Sequence, residues 1–309
     1  MIQKIEDIFF RFNRPWHYVA ALILFPFSLI YCVVAIAKKL TSNPKEYGIP
    51  VISIGNLTVG GSGKTPFAIE LCKRFERPCV VMRGYGRRSK GLLVVSRFGN
   101  IERDVFDSGD EAMLIAKKAA HASVVVSEDR AAGIEEAKRL GADVVILDDG
   151  FGKFGIKKLD ILLFPKTRFR NIFCLPAGPF RFPLFFGGFA DISAVEGVDF
   201  VRNTTVPNGE SFVLVTAIAN PQRLDSYLPT EVVAKYYFAD HYYFAKRDIA
   251  KIRQKHPNAT VLCTEKDGVK LDVIGESYVE IGLALEFEEN FEKFLNSKIA
   301  ALSLKNQAS

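Results

Sequence analysis

The chain has 309 residues, of which 49% are hydrophobic and 25% are charged, and it contains no low-complexity tract. That length accommodates two ordinary domains with buried cores, and the composition excludes an intrinsically disordered protein. The formal net charge of +6 suits an anionic partner such as phospholipid or nucleotide. The aromatic and basic residues do not alternate as they do in RNA-binding modules, so we expect no nucleic-acid partner.

The first element along the chain is an uncharged run of twenty residues, 18–37. As a helix, such a run is long enough to cross a hydrocarbon core of ~30 Å. Lys38 and Lys39 follow where a signal peptide would have a small-residue cleavage site, so we predict a retained anchor. Pro26 should kink the helix, which leaves open whether it spans the membrane or only embeds in it. Hydrophobic spacing over 2–12 predicts an interfacial amphipathic helix.

Strands and helices alternate after the anchor. The pattern predicts strands over 51–54, 79–82, 123–126, 144–147 and 160–164, and helices over 66–75, 110–120 and 131–140. Such alternation is typical of an α/β fold with a mostly parallel sheet and flanking helices. Weaker elements over 212–216, 245–254, 260–264 and 288–302 predict a second, smaller α/β domain.

These patterns predict three parts, with a boundary in the polar, turn-rich segment 203–209. Residues 1–40 form an N-terminal membrane helix, 41–205 a main domain, and 206–309 the smaller C-terminal α/β domain. The alternative for the apolar run is a buried core helix of a soluble protein.

A glycine-rich loop lies directly between the strand over 51–54 and the helix over 66–75. In that setting small residues let backbone N–H groups approach phosphate oxygens, which makes the fold P-loop NTPase-like and predicts ATP binding. Lys64 is expected to neutralise the β and γ phosphates, and the Thr65 hydroxyl to hold Mg²⁺. Thr58 stands where the common motif has its first glycine. The predicted phosphate-binding residues are Thr58, Val59, Gly60, Gly61, Ser62, Gly63, Lys64 and Thr65.

Two acids, Asp148 and Asp149, follow the apolar strand over 144–147. In a P-loop protein an acid at the end of such a strand reaches Mg²⁺ directly or through water. We therefore predict that Asp148 and Asp149 are metal ligands and act in catalysis together with Lys64.

Phosphoryl transfer to an alcohol also calls for a base near the acceptor hydroxyl. Asp110 opens a predicted helix, where a carboxylate is favoured simply as an N-terminal cap. His241 is one of only four histidines. From the pattern alone, capping is the better interpretation of Asp110, and a structural role is the better interpretation of His241.

The ordered motifs of the chain resemble the tetraacyldisaccharide 4′-kinases, the lipid A 4′-kinases of Gram-negative bacteria. The resemblance covers roughly residues 45–270 and includes a variant P-loop with Thr58 in the place of glycine. The motifs are 56–66, Arg83-Gly84-Tyr85-Gly86-Arg87, Gly109-Asp110-Glu111, Asp129-Arg130, Leu147-Asp148-Asp149-Gly150-Phe151, 175–179, Phe238-Ala239-Asp240-His241 and Thr264-Glu265-Lys266-Asp267.

This resemblance implies that ATP phosphorylates the 4′-hydroxyl of a tetraacylated disaccharide 1-phosphate, giving lipid IVA. It implies that Asp110 is the general base and His241 its partner, and that the smaller domain closes a cleft over the P-loop domain. The lipid substrate implies contact with inner-membrane phospholipid. Because ATP is cytoplasmic, we expect the catalytic domain to face the cytoplasm. No motif calls for an obligate protein partner.

The chain departs from the family pattern at two places. The family typically has Asp-Asp-Gly-Phe-Gln-His-Arg, whereas this chain continues from Phe151 with Gly152-Lys153-Phe154. The family also tends to have Leu-Arg-Glu-Pro where this chain has Phe180-Arg181-Phe182-Pro183. The departures leave open which contacts replace the missing polar side chains.

An apolar segment over 180–189 follows the second departure and lacks clear helical or strand periodicity. Two interpretations are open. Its phenylalanines pack in the core, or the segment is a loop that dips into the bilayer, with Arg181 meeting an anionic headgroup or the substrate phosphate.

Two other function classes are alternatives. A membrane-associated P-loop NTPase switch acting on a protein would be expected to carry Asp-x-x-Gly and Asn-Lys-x-Asp. Asp148-Asp149-Gly150 has the wrong spacing, and Thr264-Glu265-Lys266-Asp267 misplaces the lysine. A cytosolic small-molecule kinase is the third class, and fractionation without detergent would distinguish it from a membrane enzyme.

Overall fold

The computed structural model describes residues 12–60, 63–167 and 169–307. Gly61, Ser62 and nearly all of the predicted amphipathic helix over 2–12 lie outside the described residues. The helices are α1 (Pro15–Leu40), α2 (Lys64–Cys72), α3 (Val105–Ser108), α4 (Asp110–Lys118), α5 (Arg130–Arg139), α6 (Lys246–Lys255), α7 (Glu265–Val273) and α8 (Glu289–Gln307).

Thirteen strands are found in the described residues. They are β1 (Val51–Gly55), β2 (Pro78–Met82), β3 (Leu93–Arg97), β4 (Asn100–Ile101), β5 (Ser123–Val126), β6 (Val144–Asp148), β7 (Leu159–Phe164), β8 (Ile192–Val195), β9 (Phe200–Thr205), β10 (Phe212–Thr216), β11 (Val232–Tyr237), β12 (Thr260–Thr264) and β13 (Val279–Phe287).

The chain divides into two compact units that alternate along the sequence. Unit one contains Met1–Lys64, Leu147–Phe200 and Phe287–Ser309. Unit two contains Thr65–Ile146 and Val201–Glu286. The division into 1–40, 41–205 and 206–309 stays a prediction.

In unit one the strand order is β6-β1-β7-β8, where only the last two residues of β6 belong to this unit. β1 pairs with β7 in parallel, with Ile54 opposite Ile161, and β7 pairs with β8 in parallel. All five residues of β1 and of β6 are buried. The Gly150 N–H donates to the Ile54 carbonyl at 3.1 Å, so the segments that follow β1 and β6 begin side by side at one edge of the sheet. In open α/β sheets the carboxyl edge of the strands is the usual place for a ligand.

In unit two one sheet has the order β4-β3-β5-β2-β6, with the first three residues of β6. β2 and β5 are parallel, whereas β3 is antiparallel to both β4 and β5. The β3–β4 hairpin was not predicted from the sequence. Its turn residues, Phe98 and Gly99, have φ values of 42° and 91°. Both central residues therefore have the positive φ of the tight turns that suit hairpins.

The second sheet of unit two has the order β11-β10-β12-β13-β9. β10 is parallel to β11 and β12, and β12 is parallel to β13. Helices α6 and α7 alternate with these strands, which produces the parallel pairing that the sequence predicted. The predicted α/β fold, with mostly parallel sheets and flanking helices, is confirmed.

α1 contains the predicted apolar run as one continuous helix, with Pro26 inside it. Among the described residues it is the one helix long and apolar enough to cross a membrane. One side of α1 packs on unit one. The Ser28 hydroxyl donates to the carbonyl of Cys174 at 2.8 Å and accepts from the Ala177 N–H at 3.0 Å. Near the end of α1, Ala35 joins a core cluster with Phe180 and Phe186.

Candidate functional site

The phosphate-loop candidate follows the buried strand β1 and leads into α2, as predicted. Thr58 is buried and forms a β-bridge with Phe180, and the Val59 N–H donates to the Pro179 carbonyl at 2.8 Å. Gly60 and Gly63 have φ values of 97° and 79°, a region that glycine enters without strain. The described part of the loop is therefore held at its start and depends on glycine at two positions.

Lys64 lies at the first position of α2 and points back to the end of the sheet in unit one. Its Nζ lies 3.0 Å from the Asn56 Oδ1 and 3.6 Å from the Asp149 Oδ1. Arg181 donates to both oxygens of Asp149, at 2.9 Å and 2.8 Å, and to the Asn56 Oδ1 at 2.6 Å. The predicted Lys64 and Asp149 thus belong to one charged cluster with Asn56 and Arg181. In one of the two interpretations left open by the sequence, Arg181 meets an anionic headgroup or the substrate phosphate, and its pairing with Asp149 was not foreseen.

The two predicted acids differ in their surroundings. Asp148 ends β6 and is 4% exposed. Asp149 has left the strand with a φ of 57°, which turns its carboxylate toward Arg181. A non-glycine residue rarely takes this backbone conformation, and such residues are frequent at functional sites.

Asp110 and His241 meet in unit two, although 131 residues separate them. The His241 Nδ1 lies 3.1 Å from each oxygen of the Asp110 carboxylate. Asp110 is 2% exposed, and Gly109 rather than Asp110 occupies the capping position of α4. The Asp110 carboxylate accepts the N–H of Glu111 but is directed to the imidazole, so it does not act as the helix cap that the pattern favoured.

The surroundings of the pair favour an ionised Asp110 carboxylate and a protonated His241 imidazole. Burial alone would raise the pKa of Asp110, but the hydrogen bond from His241 and the charges of Lys266 and Lys270 lower it below its ordinary value. The hydrogen bond to Asp110 raises the pKa of His241 above its ordinary value, against the effect of burial. The two shifts agree in direction and favour an ion pair.

Glycines of two motifs make room for this pair. A methyl group at Gly86 would lie 3.1 Å from the Cβ and Cγ of His241, and one at Gly109 would lie 2.9 Å from the Tyr85 carbonyl oxygen. Both glycines also have positive φ values. The hydroxyl of Tyr243 donates to the Gly86 carbonyl at 3.0 Å. The segment 83–87 therefore packs closely around His241 and the start of α4.

The two departures from the family pattern meet in unit one. Gly152 faces the ring of Phe182 so closely that a Cβ at this position would lie 2.8 Å from the Phe182 Cζ. Phe182 packs edge-on against Phe151 and Phe154, and it stacks on Phe186. An aromatic cluster thus occupies the place where the family pattern has polar residues, and a side chain at position 152 would require the Phe182 ring to shift.

The partners of three cationic residues in these sites could not be predicted from sequence spacing. Arg181 reaches Asp149 across 32 residues. Lys266 and Lys270 approach Asp110 from α7, with Nζ atoms 3.8 Å and 3.7 Å from its Oδ2. The sequence suggested an anionic partner for Arg181 and placed Lys266 in a motif without giving it a role, and it gave no signal for Lys270.

A phosphate loop between a buried strand and a helix, beside a strand that ends in acids, defines the P-loop nucleotide-binding proteins. With a buried carboxylate and a half-buried imidazole paired elsewhere in the chain, the class is that of P-loop phosphotransferases. Within this class the chain belongs to the tetraacyldisaccharide-1-P 4′-kinase family (LpxK), whose profile matches residues 20–195 and 189–300.

Relatives and a solved structure agree with this membership. The chain is 42% identical to the tetraacyldisaccharide 4′-kinase of Aliarcobacter butzleri, over 93% of this chain and 94% of that protein. It is 44% identical to the enzyme of that name in Helicobacter pylori, over 85% of this chain and 84% of that protein. The crystal structure of LpxK from Aquifex aeolicus in complex with ATP matches with a TM-score of 0.76 and 30% identity, over 91% of this chain and 99% of that chain.

Proposed function

We propose that this chain transfers the γ-phosphoryl group of ATP to the 4′-hydroxyl of tetraacyldisaccharide 1-phosphate, giving lipid IVA in lipid A biosynthesis. Family membership at 42% identity to a named 4′-kinase is the observation that carries this function. The phosphate loop and the Asp110–His241 pair supply the two parts that such a transfer needs. No observation favours a P-loop switch that acts on a protein.

Unit one binds and neutralises the phosphates of ATP. The N–H groups of the loop over 58–65 cradle the phosphates, and Lys64 places a positive charge on them. Asn56 and Asp149 hold the Lys64 ammonium before ATP arrives, at 3.0 Å and 3.6 Å. Because a positioned charge need not reorganise during the reaction, it stabilises the transition state more than a mobile one does.

The donor atoms suit Mg²⁺, which prefers oxygen ligands and is usually held by one or two carboxylates and the nucleotide phosphates. The Thr65 hydroxyl and the Asp148 and Asp149 carboxylates provide such oxygens. Both Asp149 oxygens accept hydrogen bonds from Arg181, so we assign the direct contact to Asp148. Bound Mg²⁺ supplies charge neutralisation on the β and γ phosphates.

Asp110 acts as the general base. The 4′-hydroxyl oxygen forms a bond to the γ-phosphorus as the bond from the γ-phosphorus to the β-bridging oxygen breaks. The hydroxyl proton passes to the Asp110 carboxylate, and ADP leaves. His241 orients the carboxylate through its Nδ1, 3.1 Å away, and its raised pKa keeps a proton on the imidazole for that hydrogen bond.

The membrane contact belongs to unit one. The outer side of α1 exposes apolar side chains, among them Leu22, Ile23, Phe27, Ile30 and Val33. The opposite side packs on the protein at Ser28 and Ala35, so α1 lies along unit one and embeds in the bilayer by its outer side.

A second exposed apolar segment lies near the end of α1. The 3₁₀ helix Leu184–Phe189 exposes Leu184, Phe185 and Phe189, and Lys39 near the end of α1 lies over the Phe189 ring. Four acyl chains keep the substrate in the membrane, so an enzyme that embeds beside it reaches the disaccharide without extracting it. The chain binds inner-membrane phospholipid with its catalytic residues on the cytoplasmic side, where ATP is available.

Adjacent phenylalanines provide a matched test of the membrane contact. Phe185 is 59% exposed and Phe186 is 1% exposed. We expect Phe185→Ser to keep its melting temperature but to bind anionic phospholipid vesicles more weakly and to raise the KM for the lipid substrate. Phe186→Ser should instead lose about 3–5 kcal/mol of stability, because it opens a cavity in the core. Unchanged vesicle affinity in Phe185→Ser, measured by co-sedimentation, would contradict the contact.

The function itself is tested with the purified protein in detergent micelles. Incubation with γ-labelled ATP, Mg²⁺ and tetraacyldisaccharide 1-phosphate should yield a labelled lipid that carries phosphates at both the 1 and 4′ positions. A disaccharide with its 4′-hydroxyl blocked should accept no label. Hydrolysis of ATP at a rate independent of the lipid, with no labelled lipid, would contradict the assignment.

A further inference from the structure

The first turns of α7 lie beside the Asp110–His241 pair in unit two. The Lys270 Nζ lies 2.8 Å from the Asp267 Oδ1 and 3.7 Å from the Asp110 Oδ2. The Lys266 Nζ lies 3.0 Å from the Glu111 Oε1 and 3.8 Å from the Asp110 Oδ2. One helix therefore directs two positive charges to the Asp110 carboxylate.

Lys270 is buried to an unusual degree for a lysine, with 2% of the residue exposed. An ammonium group leaves water only where carboxylates compensate its charge, and here Asp267 and Asp110 do so. Its Nζ also lies over the Phe244 ring, 5.2 Å from the ring centre. Away from solvent, its charge acts on Asp110 with little screening.

Asp267 is held as an acceptor by three donors in addition to Lys270. The hydroxyls of Thr216 and Thr264 each donate to its Oδ2 at 2.7 Å, and the Ala217 N–H donates to its Oδ1 at 3.1 Å. These donors come from the ends of β10 and β12. The Asp267 carboxylate thus fixes the backbone where β10 ends.

The backbone at the end of β10 is hydrogen-bonded to His241. The His241 N–H donates to the Ala217 carbonyl at 3.1 Å, so Ala217 connects Asp267 on one side with His241 on the other. His241 has a φ of 57°, a conformation that persists only where surrounding contacts enforce it. The position of the imidazole therefore depends on the anchored end of β10.

We propose that Asp267 and Lys270 are positioning residues for the Asp110–His241 pair, an inference that rests on the proposed function. Asp267 anchors the backbone that holds His241 in reach of Asp110. Lys270 joins that anchor to the base itself and keeps Asp110 in its ionised form, the form that accepts the proton.

The charges around Asp110 set the sign of the expected pH effect. His241, Lys266 and Lys270 all lower the pKa of Asp110. Burial, and after it the charge of Asp110, raises the pKa of the nearby Tyr243 hydroxyl to about 12. Removing one positive charge raises the pKa of Asp110. Since the base must be ionised, activity should then be lost at a higher pH as the solution is acidified.

The test compares Lys270→Met with Lys117→Met in the full-length protein. Lys117 lies on α4 and pairs with Asp272 of α7 at the surface. This ion pair joins the same two helices as the Lys270–Asp110 pair, but it is exposed to solvent. In Lys270→Met we expect the acid limb of kcat/KM for the disaccharide to move to higher pH, because one of the charges that lower the pKa of Asp110 is removed. The KM for ATP should be unchanged, and Lys117→Met should retain the profile of the parent protein.

Asp267→Asn tests the backbone anchor by NMR titration of the imidazole, a readout that needs no activity. We expect the pKa of His241 to fall toward its ordinary value, because a displaced imidazole makes a poorer hydrogen bond to Asp110. We expect kcat to fall about tenfold, a part of the roughly 10²–10⁴-fold that general-base catalysis contributes.

A double variant separates positioning from folding. Asp267→Asn with Lys270→Met removes both buried charges together, so its melting temperature should recover relative to Lys270→Met while the shifted acid limb persists. Recovery of stability together with a normal acid limb and kcat would overturn the proposal, and so would a folded Lys270→Met with the parent profile. If the parent protein fails to phosphorylate the disaccharide, the proposed function fails, and the His241 titration still decides whether Asp267 positions the imidazole.

Discussion

Replacing Lys64 with alanine is expected to reduce kcat by at least roughly 10²–10³-fold, the effect of removing one fixed charge or donor from a transition state. In the proposed mechanism Lys64 is the cation that neutralises the transferred phosphoryl group, and no other side chain described in the phosphate loop carries a positive charge. Thr65→Ala should cause a loss of similar size, because its hydroxyl is assigned to Mg²⁺. Both effects are measured with labelled ATP at saturating lipid substrate.

The fold should tolerate the Lys64 substitution. Asp149 keeps both hydrogen bonds from Arg181 when Lys64 is removed, so no buried carboxylate loses its only partner. Lys73→Ala is the matched control, since Lys73 follows α2 and pairs with Glu70 at the surface. A folded Lys64→Ala variant with near-normal turnover would rule out the assignment of this loop to ATP.

Asp110→Ala is expected to lower kcat by roughly 10²–10⁴-fold while ATP binding changes little, because the substitution removes the proposed general base and leaves the phosphate loop intact. The buried cations should make the substitution somewhat destabilising as well. Lys266 keeps Glu111 as a partner and Lys270 keeps Asp267, at 3.0 Å and 2.8 Å, so the protein should still fold. Turnover, ATP affinity and melting temperature are measured on the same preparation.

Asp104 is the control for the capping interpretation. Its side chain accepts the N–H of Asp107 and caps α3, which the Asp110 side chain does not do for α4. Asp104→Ala should lose about 1 kcal/mol of stability and keep its turnover. If Asp110→Ala behaves in the same way, Asp110 is structural and the general base is a different residue.

The local pattern was sufficient for elements that depend on neighbouring residues. The apolar run before Asp148 became the buried strand β6, and the glycine-rich loop lies between β1 and α2 as predicted. Strand and helix periodicities are properties of short segments, so one sequence reveals them. The β3–β4 hairpin was missed because its turn places a phenylalanine, Phe98, at a positive φ where such turns usually have asparagine or glycine.

The resemblance to a family pointed to Asp110 and His241 before any geometry was available, whereas the pattern alone favoured a helix cap and a structural histidine. The structure brings the two side chains to 3.1 Å. No periodicity relates residues so far apart, so only the folded chain shows that the carboxylate meets the imidazole.

The sequence by itself therefore determined the α/β class, the long apolar helix near the N-terminus, the glycine-rich loop between a strand and a helix, and the family. The tertiary structure decided what each side chain faces. Phe185 and Phe186 are identical in chemistry and adjacent in sequence, yet one is 59% exposed and the other 1%. Nothing in the sequence distinguishes Lys270 from other lysines on helices, and only the folded chain places Asp267 and Asp110 around its ammonium group. Burial and charge compensation depend on the residues that contact a side chain, and these residues come from distant parts of the chain.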